Sequence, residues 1–165
     1  MYLEFLFVIV FYYTTLSRRD VLLEIGIPAI LAVGYYMYGT TNNSTGILVD
    51  SIMFLRLLLG FSMASLALFL TKNDNLGETK KYMTERKLLG KAVSLYKYIV
   101  LSFTYLVIML CLIQTAYLLF RMFSIDINSL IVSILKSIYV FFLFHVVFAT
   151  IRAITETYQV LSKQK

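Results

Sequence analysis

The chain has 165 residues, 60% of them hydrophobic, and its mean hydropathy is +0.82. This composition is typical of an integral membrane protein and leaves no room for a separate soluble domain. The formal net charge of +6 is compatible with nucleic-acid binding. The basic residues lie beside apolar segments, however, where positive-inside topology and anionic lipid headgroups explain them. We therefore expect contact with membrane lipids and no direct nucleic-acid binding.

The first apolar segment, residues 2–16, precedes the basic pair Arg18 and Arg19. A signal peptide begins with basic residues and ends at a small-residue cleavage site, and this segment has neither. As a helix it would reach ~22 Å, short of the ~30 Å of hydrocarbon in a membrane. We expect either a short first span or a helix lying partly in the interface.

Four longer apolar segments follow, each long enough for a transmembrane helix. Pro28, the only proline in the sequence, should kink the first of these helices. The predicted fold class is all-α, an integral membrane helical bundle of four to five transmembrane helices in a single domain, 1–165. The four longer predicted spans are 21–39, 47–71, 98–120 and 129–150.

Two polar segments flank the last spans. The cytoplasmic loop 72–97 should contain a helix from about Gly77 into the next span, since no proline interrupts it. The cytoplasmic tail 151–165 should continue the last helix as a C-terminal helical extension. Apolar residues there repeat at spacing 4-3-4-3, which is typical either of a coiled-coil seam or of a helix that packs on its own chain's loop. They are Val147, Ile151, Ile154, Tyr158 and Leu161.

The basic residues also set the orientation. Twelve of the fifteen Lys and Arg residues lie in 17–20, the loop and the tail, whereas the loops on the opposite side carry one, Arg121. Because basic loops stay in the cytoplasm, we expect a multi-pass protein of the bacterial inner membrane with a cytoplasmic C-terminus. The N-terminus lies outside if residues 2–16 span the membrane, and inside otherwise.

Charged side chains within the spans are candidates for function, because a bilayer disfavours them. Arg56 and Lys136 predict a polar interior, which in a homo-oligomer would form rings lining a pore, with Asp50 and Gln114 nearby. The alternative is that both cations pair with Asp50 or Asp126, or extend to the outer interface. Glu24, in a first turn near Arg18 and Arg19, is explained without function.

Two further surfaces are candidates for contacts. Gly60, Ala64 and Ala67 form a small-residue face on one span, which would let another helix approach closely. The loop combines basic and apolar side chains, which favours docking of a cytoplasmic protein over simple contact with lipid headgroups. The docking candidates are Lys80, Lys81, Tyr82, Met83, Arg86, Lys87, Leu88 and Lys91.

The sequence offers no catalytic set. It has one Cys and one His, and no nucleophile–base pair, metal-binding motif or cofactor motif. We therefore expect no enzyme and no cofactor. His145 is interpreted as bonded to a neighbouring helix, with a proton relay as the alternative. Cys111 is interpreted as a small packing residue.

The run LLLGFSMASLALFLT, the basic loop ending in LLGKAVSLYKY and the later FHVVF before a polar tail resemble the Rex B membrane proteins of lambdoid phages. The plan is also similar to the membrane subunit of Kiwa-type anti-phage defence. The resemblance covers about residues 21–165 and implies four spans with a cytoplasmic C-terminus. It implies either an ion channel that depolarises the cell or an oligomer that carries a soluble effector. No catalytic residues are carried over.

We therefore expect a non-enzymatic membrane component of bacterial anti-phage defence, which oligomerises and docks a soluble cytoplasmic partner through its loop and tail. The first alternative is an ion-conducting pore that depolarises the membrane on infection. The second is a small transporter or transporter accessory subunit. The sequence shows no internal repeats and no paired broken helices. A transporter that works by alternating access is therefore the less favoured alternative.

Overall fold

The computed structural model describes residues 4–38, 45–71, 83–88, 91–122 and 129–162. These residues form an all-α membrane bundle with one short hairpin, so the predicted fold class is confirmed. The helices are α1 (Glu4–Thr14), α2 (Arg18–Val21), α3 (Ile27–Tyr38), α4 (Thr45–Leu70), α5 (Leu95–Met122) and α6 (Ser129–Ser162), with a π-helical segment at Leu22–Gly26 between α2 and α3.

Among the described residues, four stretches of helix are long and apolar enough to cross a membrane: Arg18–Tyr38, Ser51–Leu70, Leu95–Leu119 and Leu130–Tyr158. They overlap the four longer predicted spans. α1 has 11 residues, which gives ~16 Å of helix and is shorter than the hydrocarbon layer. If all four cross, the start of α2 and the end of α6 lie on the same side of the membrane, which agrees with the contact between Asp20 and Arg152.

The bundle is built around α5. This helix packs against α4, α6 and α1, while α3 packs on the opposite side of α6. Its inward-facing residues recur at helical spacing and supply most of the core. The core side chains of α5 include Ile99, Phe103, Tyr105, Leu106 and Leu110, and they cluster with Tyr12, Leu55, Phe69 and Val146 from the neighbouring helices.

The first span is irregular just before Pro28. Ser17 begins α2 as its N-cap, in a capping box with Asp20, and the π-helical segment Leu22–Gly26 then carries the chain into α3. Its N–H to C=O bonds reach one residue further than in an α-helix, as from Ile27 to Leu22. The irregularity therefore lies where the only proline was expected to disturb the helix.

Within the loop, residues 83–88 and 91–94 form strands and α5 begins only at Leu95, which corrects the prediction of a helix from about Gly77. β1 (Met83–Leu88) and β2 (Lys91–Ser94) pair antiparallel, with Leu88 opposite Lys91 and Met83 opposite Ser94. A continuous helix here would carry Gly90 in its interior, at a cost of about 1 kcal/mol relative to alanine. Of the predicted loop, residues 72–82 and 89–90 lie outside the described residues.

α6 is the longest helix, with 34 residues. At 1.5 Å per residue it reaches ~51 Å, about 20 Å more than the hydrocarbon of a bilayer. The predicted helical extension of the last span is therefore present as far as Ser162, without an interruption between the span and the tail.

Candidate functional site

A buried ion pair joins the first and last spans. Arg152 of α6 places its Nε 2.9 Å from Glu24 Oε1 and its Nη1 3.5 Å from Asp20 Oδ2. Glu24 is 1% exposed, and the side chains of Arg152 and Asp20 are only 11% and 14% exposed. We call Asp20, Glu24, Arg152 and Tyr12 the ionic cluster. Charges this well buried are retained only when they are paired, because isolated charges in apolar surroundings are strongly disfavoured.

Tyr12 connects α1 to this cluster. Its hydroxyl donates to Glu24 Oε2 at 2.9 Å, and the guanidinium of Arg152 lies 4.8 Å from the centre of its ring. The Tyr12 ring stacks on that of Tyr105, with centroids 3.6 Å apart. One side chain thus satisfies a carboxylate oxygen, offers a π face to a cation and packs against α5.

His145 binds the first span through a backbone carbonyl. Pro28 has no N–H, so it cannot donate the usual i→i−4 bond to the carbonyl of Glu24. His145 Nδ1 lies 2.7 Å from that carbonyl oxygen. Since a carbonyl only accepts, Nδ1 carries the proton, and Nε2 of the neutral ring is an acceptor. A residue of the last span thus satisfies a backbone group at the irregular turn of the first.

Two tyrosines complete this arrangement. The hydroxyl of Tyr105 on α5 donates to His145 Nε2, and the hydroxyl of Tyr13 on α1 lies 3.0 Å from that of Tyr105. We call Tyr13, Tyr105 and His145 the tyrosine–histidine chain. Together with the ionic cluster it ties α1, α2, the π-helical segment, α5 and α6 into one polar network at one end of the bundle.

Both carboxylates of the ionic cluster lie against the same guanidinium, that of Arg152, and Glu156 follows one turn further along α6. The cluster therefore holds the helices of the first and last spans together. Among the described residues no three His, Cys, Asp or Glu side chains are grouped to hold a metal ion.

The predicted polar-interior residues do not gather in one place within the chain. Arg56 is exposed on α4, whereas Lys136 is half-buried and lines a groove between α5 and α6. Gln114 is half-buried, and its Nε2 has no hydrogen-bond partner among the described residues. The side chain of Asp50, and the whole of Asp126, lie outside the described residues. A pore lined by these side chains therefore requires neighbouring subunits.

The predicted contact surfaces are open where they are described. Gly60, Ala64 and Ala67 are exposed along α4, on the same side as Arg56, and a side chain added at Gly60 would meet no atom within 4 Å. Of the docking residues, Met83 and Lys91 are exposed on the hairpin. Lys80, Lys81 and Tyr82, and the side chains of Arg86, Lys87 and Leu88, lie outside the described residues.

Two interpretations from the sequence need revision, those of Glu24 and Cys111. Glu24 pairs with Arg152, while Arg18 and Arg19 are exposed. The interpretation of His145 as bonded to a neighbouring helix is confirmed by its contacts with Tyr105 and with the carbonyl of Glu24. Cys111 is exposed rather than packed in the core. Arg152 was not among the predicted functional residues, because the preference for basic residues on the cytoplasmic side already accounted for its charge.

Comparisons with protein-family models, with curated proteins and with solved structures each give no match for this chain. The chemistry of the cluster and the surfaces of α4 and α6 are therefore the basis for a functional proposal.

Proposed function

We propose that this chain is a non-enzymatic membrane component of a bacterial anti-phage defence system, which oligomerises in the inner membrane and carries a soluble partner on its cytoplasmic side. The defence role rests on the resemblance of its layout to the Rex B and Kiwa membrane proteins. The assembly role is supported by the surfaces of α4 and α6. The observation that carries it is the uninterrupted continuation of α6 beyond the length of a membrane span.

The extension of α6 begins at a residue that is held by contacts with the first span. Arg152 is bound to Asp20 and Glu24 where α6 exceeds the thickness of the hydrocarbon. Beyond it, Ile154 and Tyr158 are 45% and 71% exposed, and Ile151 on the same side is 54% exposed. Their spacing suits a partner helix. The alternative, in which this seam packs on a loop helix of its own chain, does not occur among the described residues.

Oligomerisation is supported by the outward face of α4. Arg56, Gly60, Ala64 and Ala67 lie four, four and three residues apart, on one side of the helix. Small residues let a second helix approach closely, and a neighbouring subunit would shield the arginine from lipid. In the pore alternative, the same arginines would line the conduction path, so Arg56 would control ion selectivity.

The test is affinity purification of the full-length tagged protein in mild detergent, with mass spectrometry and mass photometry of the product. We expect a multimer carrying a stoichiometric soluble protein. Ile154→Glu should release that protein, whereas Thr155→Glu, which adds the same charge beside the seam, should retain it. Charge reversal at Lys80, Lys81, Arg86 and Lys87 should also release it without affecting membrane insertion. If both Ile154→Glu and the charge-reversed loop still retained the soluble protein, docking on the tail and loop would be refuted.

A multimer with nothing attached would favour the pore instead. The next measurement would then be conductance in planar bilayers with Arg56 replaced by Ala and by Glu. In a phage-protection assay, either mechanism predicts that Arg56→Ala reduces protection more than Lys136→Ala. Equal, wild-type protection by both variants would remove Arg56 from the mechanism.

The orientation has its own test. Single cysteines at Asn43 and Glu85, introduced in a Cys111→Ala background, should react with a membrane-impermeant maleimide from opposite sides. We expect position 43 to be labelled in intact spheroplasts and position 85 only after lysis. The reverse pattern would place the loop outside the cell and overturn cytoplasmic docking.

A further inference from the structure

Helix α1 has two apolar faces, and only one of them is packed against the protein. The inner face, which includes Tyr12, lies against the core. The outer face is formed by Leu6, Phe7 and Val10, which are 45%, 56% and 56% exposed. After Glu4 no residue of this helix is charged. A helix that is apolar on all sides is suited to a position between protein and lipid, and not to one between protein and water.

α1 lies at the end of the bundle that carries the hairpin. Its Tyr12 bonds Glu24 and packs against the guanidinium of Arg152. Arg152 is 23 residues after Ser129 on α6, which is ~34 Å of helix and therefore at the far edge of the hydrocarbon. α1 also contacts β1, and the hairpin ends at Ser94, directly before α5 begins. Both contacts place α1 beside the same membrane surface, which we call the hairpin surface.

α1 is too short to extend from this surface to the opposite one. From Tyr12 back to Glu4 the helix covers ~12 Å, whereas the hydrocarbon of a bilayer is ~30 Å thick. Of the two arrangements expected for residues 2–16, these contacts favour a helix that stays in one leaflet. The outer face then lies against the lipid of that leaflet.

We propose that α1 anchors the protein to the leaflet at the hairpin surface, with its outer face among the acyl chains and with Arg18 and Arg19 at anionic phospholipid headgroups. The two arginines follow α1 directly and are exposed. In the part of the chain that the structure describes, neither of them forms an ion pair. The next residue, Asp20, pairs with Arg152, so the arginines lie at the hairpin surface. An apolar helical face beside exposed cations binds anionic membrane surfaces.

The side chains of the outer face favour lipid over a protein occupant. Leu6, Phe7 and Val10 are all bulky, whereas close packing of a second membrane helix requires small residues such as Gly60 and Ala64 on α4. Bulky apolar side chains next to a basic pair match the acyl chains and the headgroup of an anionic phospholipid. Anchoring by α1 requires no partner protein, so this proposal is independent of the proposed defence role.

The depth of α1 can be measured by fluorescence quenching. The sequence contains no tryptophan, so Phe7→Trp introduces a single reporter on the outer face. Leu57→Trp is the matched control, since Leu57 is exposed in the middle of α4. Each full-length variant is reconstituted in phosphatidylglycerol brominated either close to the headgroup or deep in the chain. We expect the shallow bromine to quench Phe7→Trp more strongly, and the deep bromine to quench Leu57→Trp more strongly.

The role of the headgroup is tested by competition. In vesicles of brominated phosphatidylcholine and unmodified phosphatidylglycerol, phosphatidylglycerol bound at α1 should protect Phe7→Trp from quenching. Replacement of Arg18 and Arg19 by Gln should weaken the relative binding of phosphatidylglycerol about fivefold for each arginine removed. The same two changes should leave the quenching of the Leu57→Trp reporter unaltered.

Three results would overturn the proposal. If neither lipid quenched Phe7→Trp, the outer face would be covered by protein, either a second copy or a soluble partner. Stronger quenching by the deep bromine would place α1 in the centre of the hydrocarbon. An unchanged preference for phosphatidylglycerol without the two arginines would remove the headgroup contact. Circular dichroism confirms folding of each variant, and Val10→Trp, on the same face, replaces Phe7→Trp if that variant does not fold.

Discussion

Two arginines in this protein lie in apolar helices and have opposite surroundings. Arg152 on α6 is bound by carboxylates of the first span and covered by the rings of Tyr12 and Tyr98. Arg56 on α4 is exposed beside glycine and alanine. Both would be unfavourable in lipid without a partner. The first has its partners within the chain, and for the second we propose partners from a neighbouring subunit.

This contrast separates stability from assembly. Changes at Arg152 should act on the folded chain itself, at any protein concentration. Changes at Arg56 should act on the association of chains, and so depend on concentration. Measuring both properties for both residues tests whether the two regions have these distinct roles.

The largest effect is expected for Arg152→Ala. It leaves Asp20 and Glu24 buried without their cation, and breaking a buried pair in this way costs about 3–5 kcal/mol. The free energy of unfolding can be measured by steric trapping in bicelles. The double variant Glu24→Gln with Arg152→Met should recover part of the loss, because neutral groups need no counter-charge. A loss below ~1 kcal/mol for Arg152→Ala would indicate that the pair is solvated and weak.

Tyr12→Phe should have the next largest effect. It removes the hydroxyl that donates to Glu24 and keeps the ring that stacks on Tyr105. Hydrogen bonds to charged groups contribute about 1.5–3 kcal/mol. The same measurement applies, with Tyr36→Phe as the control, since Tyr36 is exposed on α3. Additivity of Tyr12→Phe and Glu24→Gln would contradict the bond, because directly coupled residues are not additive.

His145→Ala should cost about 1–3 kcal/mol, because it leaves the carbonyl of Glu24 and the hydroxyl of Tyr105 without this partner. Pro28→Ala offers a sharp control. It restores an N–H at position 28, so the carbonyl regains a donor within its own helix. His145→Ala should therefore cost less in the Pro28→Ala background. An equal cost in both backgrounds would show that the carbonyl does not depend on His145.

The smallest effect on the folded chain is expected for Arg56→Ala. An exposed substitution away from the core changes the unfolding free energy by about 0.5 kcal/mol or less. Its effect should instead appear as a shift in oligomer distribution by mass photometry. If Arg56→Ala destabilised the isolated chain as strongly as Arg152→Ala, the separation between the two regions would fail.

Hydropathy predicted the helical bundle because length and apolarity decide which segments can cross a bilayer. The partners of individual residues were harder to predict. Arg152 follows an apolar span, so its charge was interpreted only as a signal of membrane orientation. Asp20 and Glu24, its partners, lie one turn apart on the first span. Nothing in the spacing of these residues shows which distant helix they meet, since that depends on how the spans pack.

The loop and the π-helical segment show the same limit. Residues 83–94 lack proline, which favoured a helix, yet strand pairing between Leu88 and Lys91 prevails. The π-helical segment Leu22–Gly26 lies just before Pro28. The position of this proline in the sequence does not reveal that His145, 117 residues later, bonds the carbonyl of Glu24.

The pairing of Glu24 with Arg152 has a consequence for biogenesis. The carboxylate belongs to the first long span to leave the ribosome, and its guanidinium partner belongs to the last. Until α6 is synthesised, Glu24 lacks the guanidinium of Arg152, and its carbonyl lacks the donor of His145. The final span supplies both the counter-charge and the hydrogen-bond donor. We therefore expect a product truncated before α6 to be less stable in the membrane than the full chain.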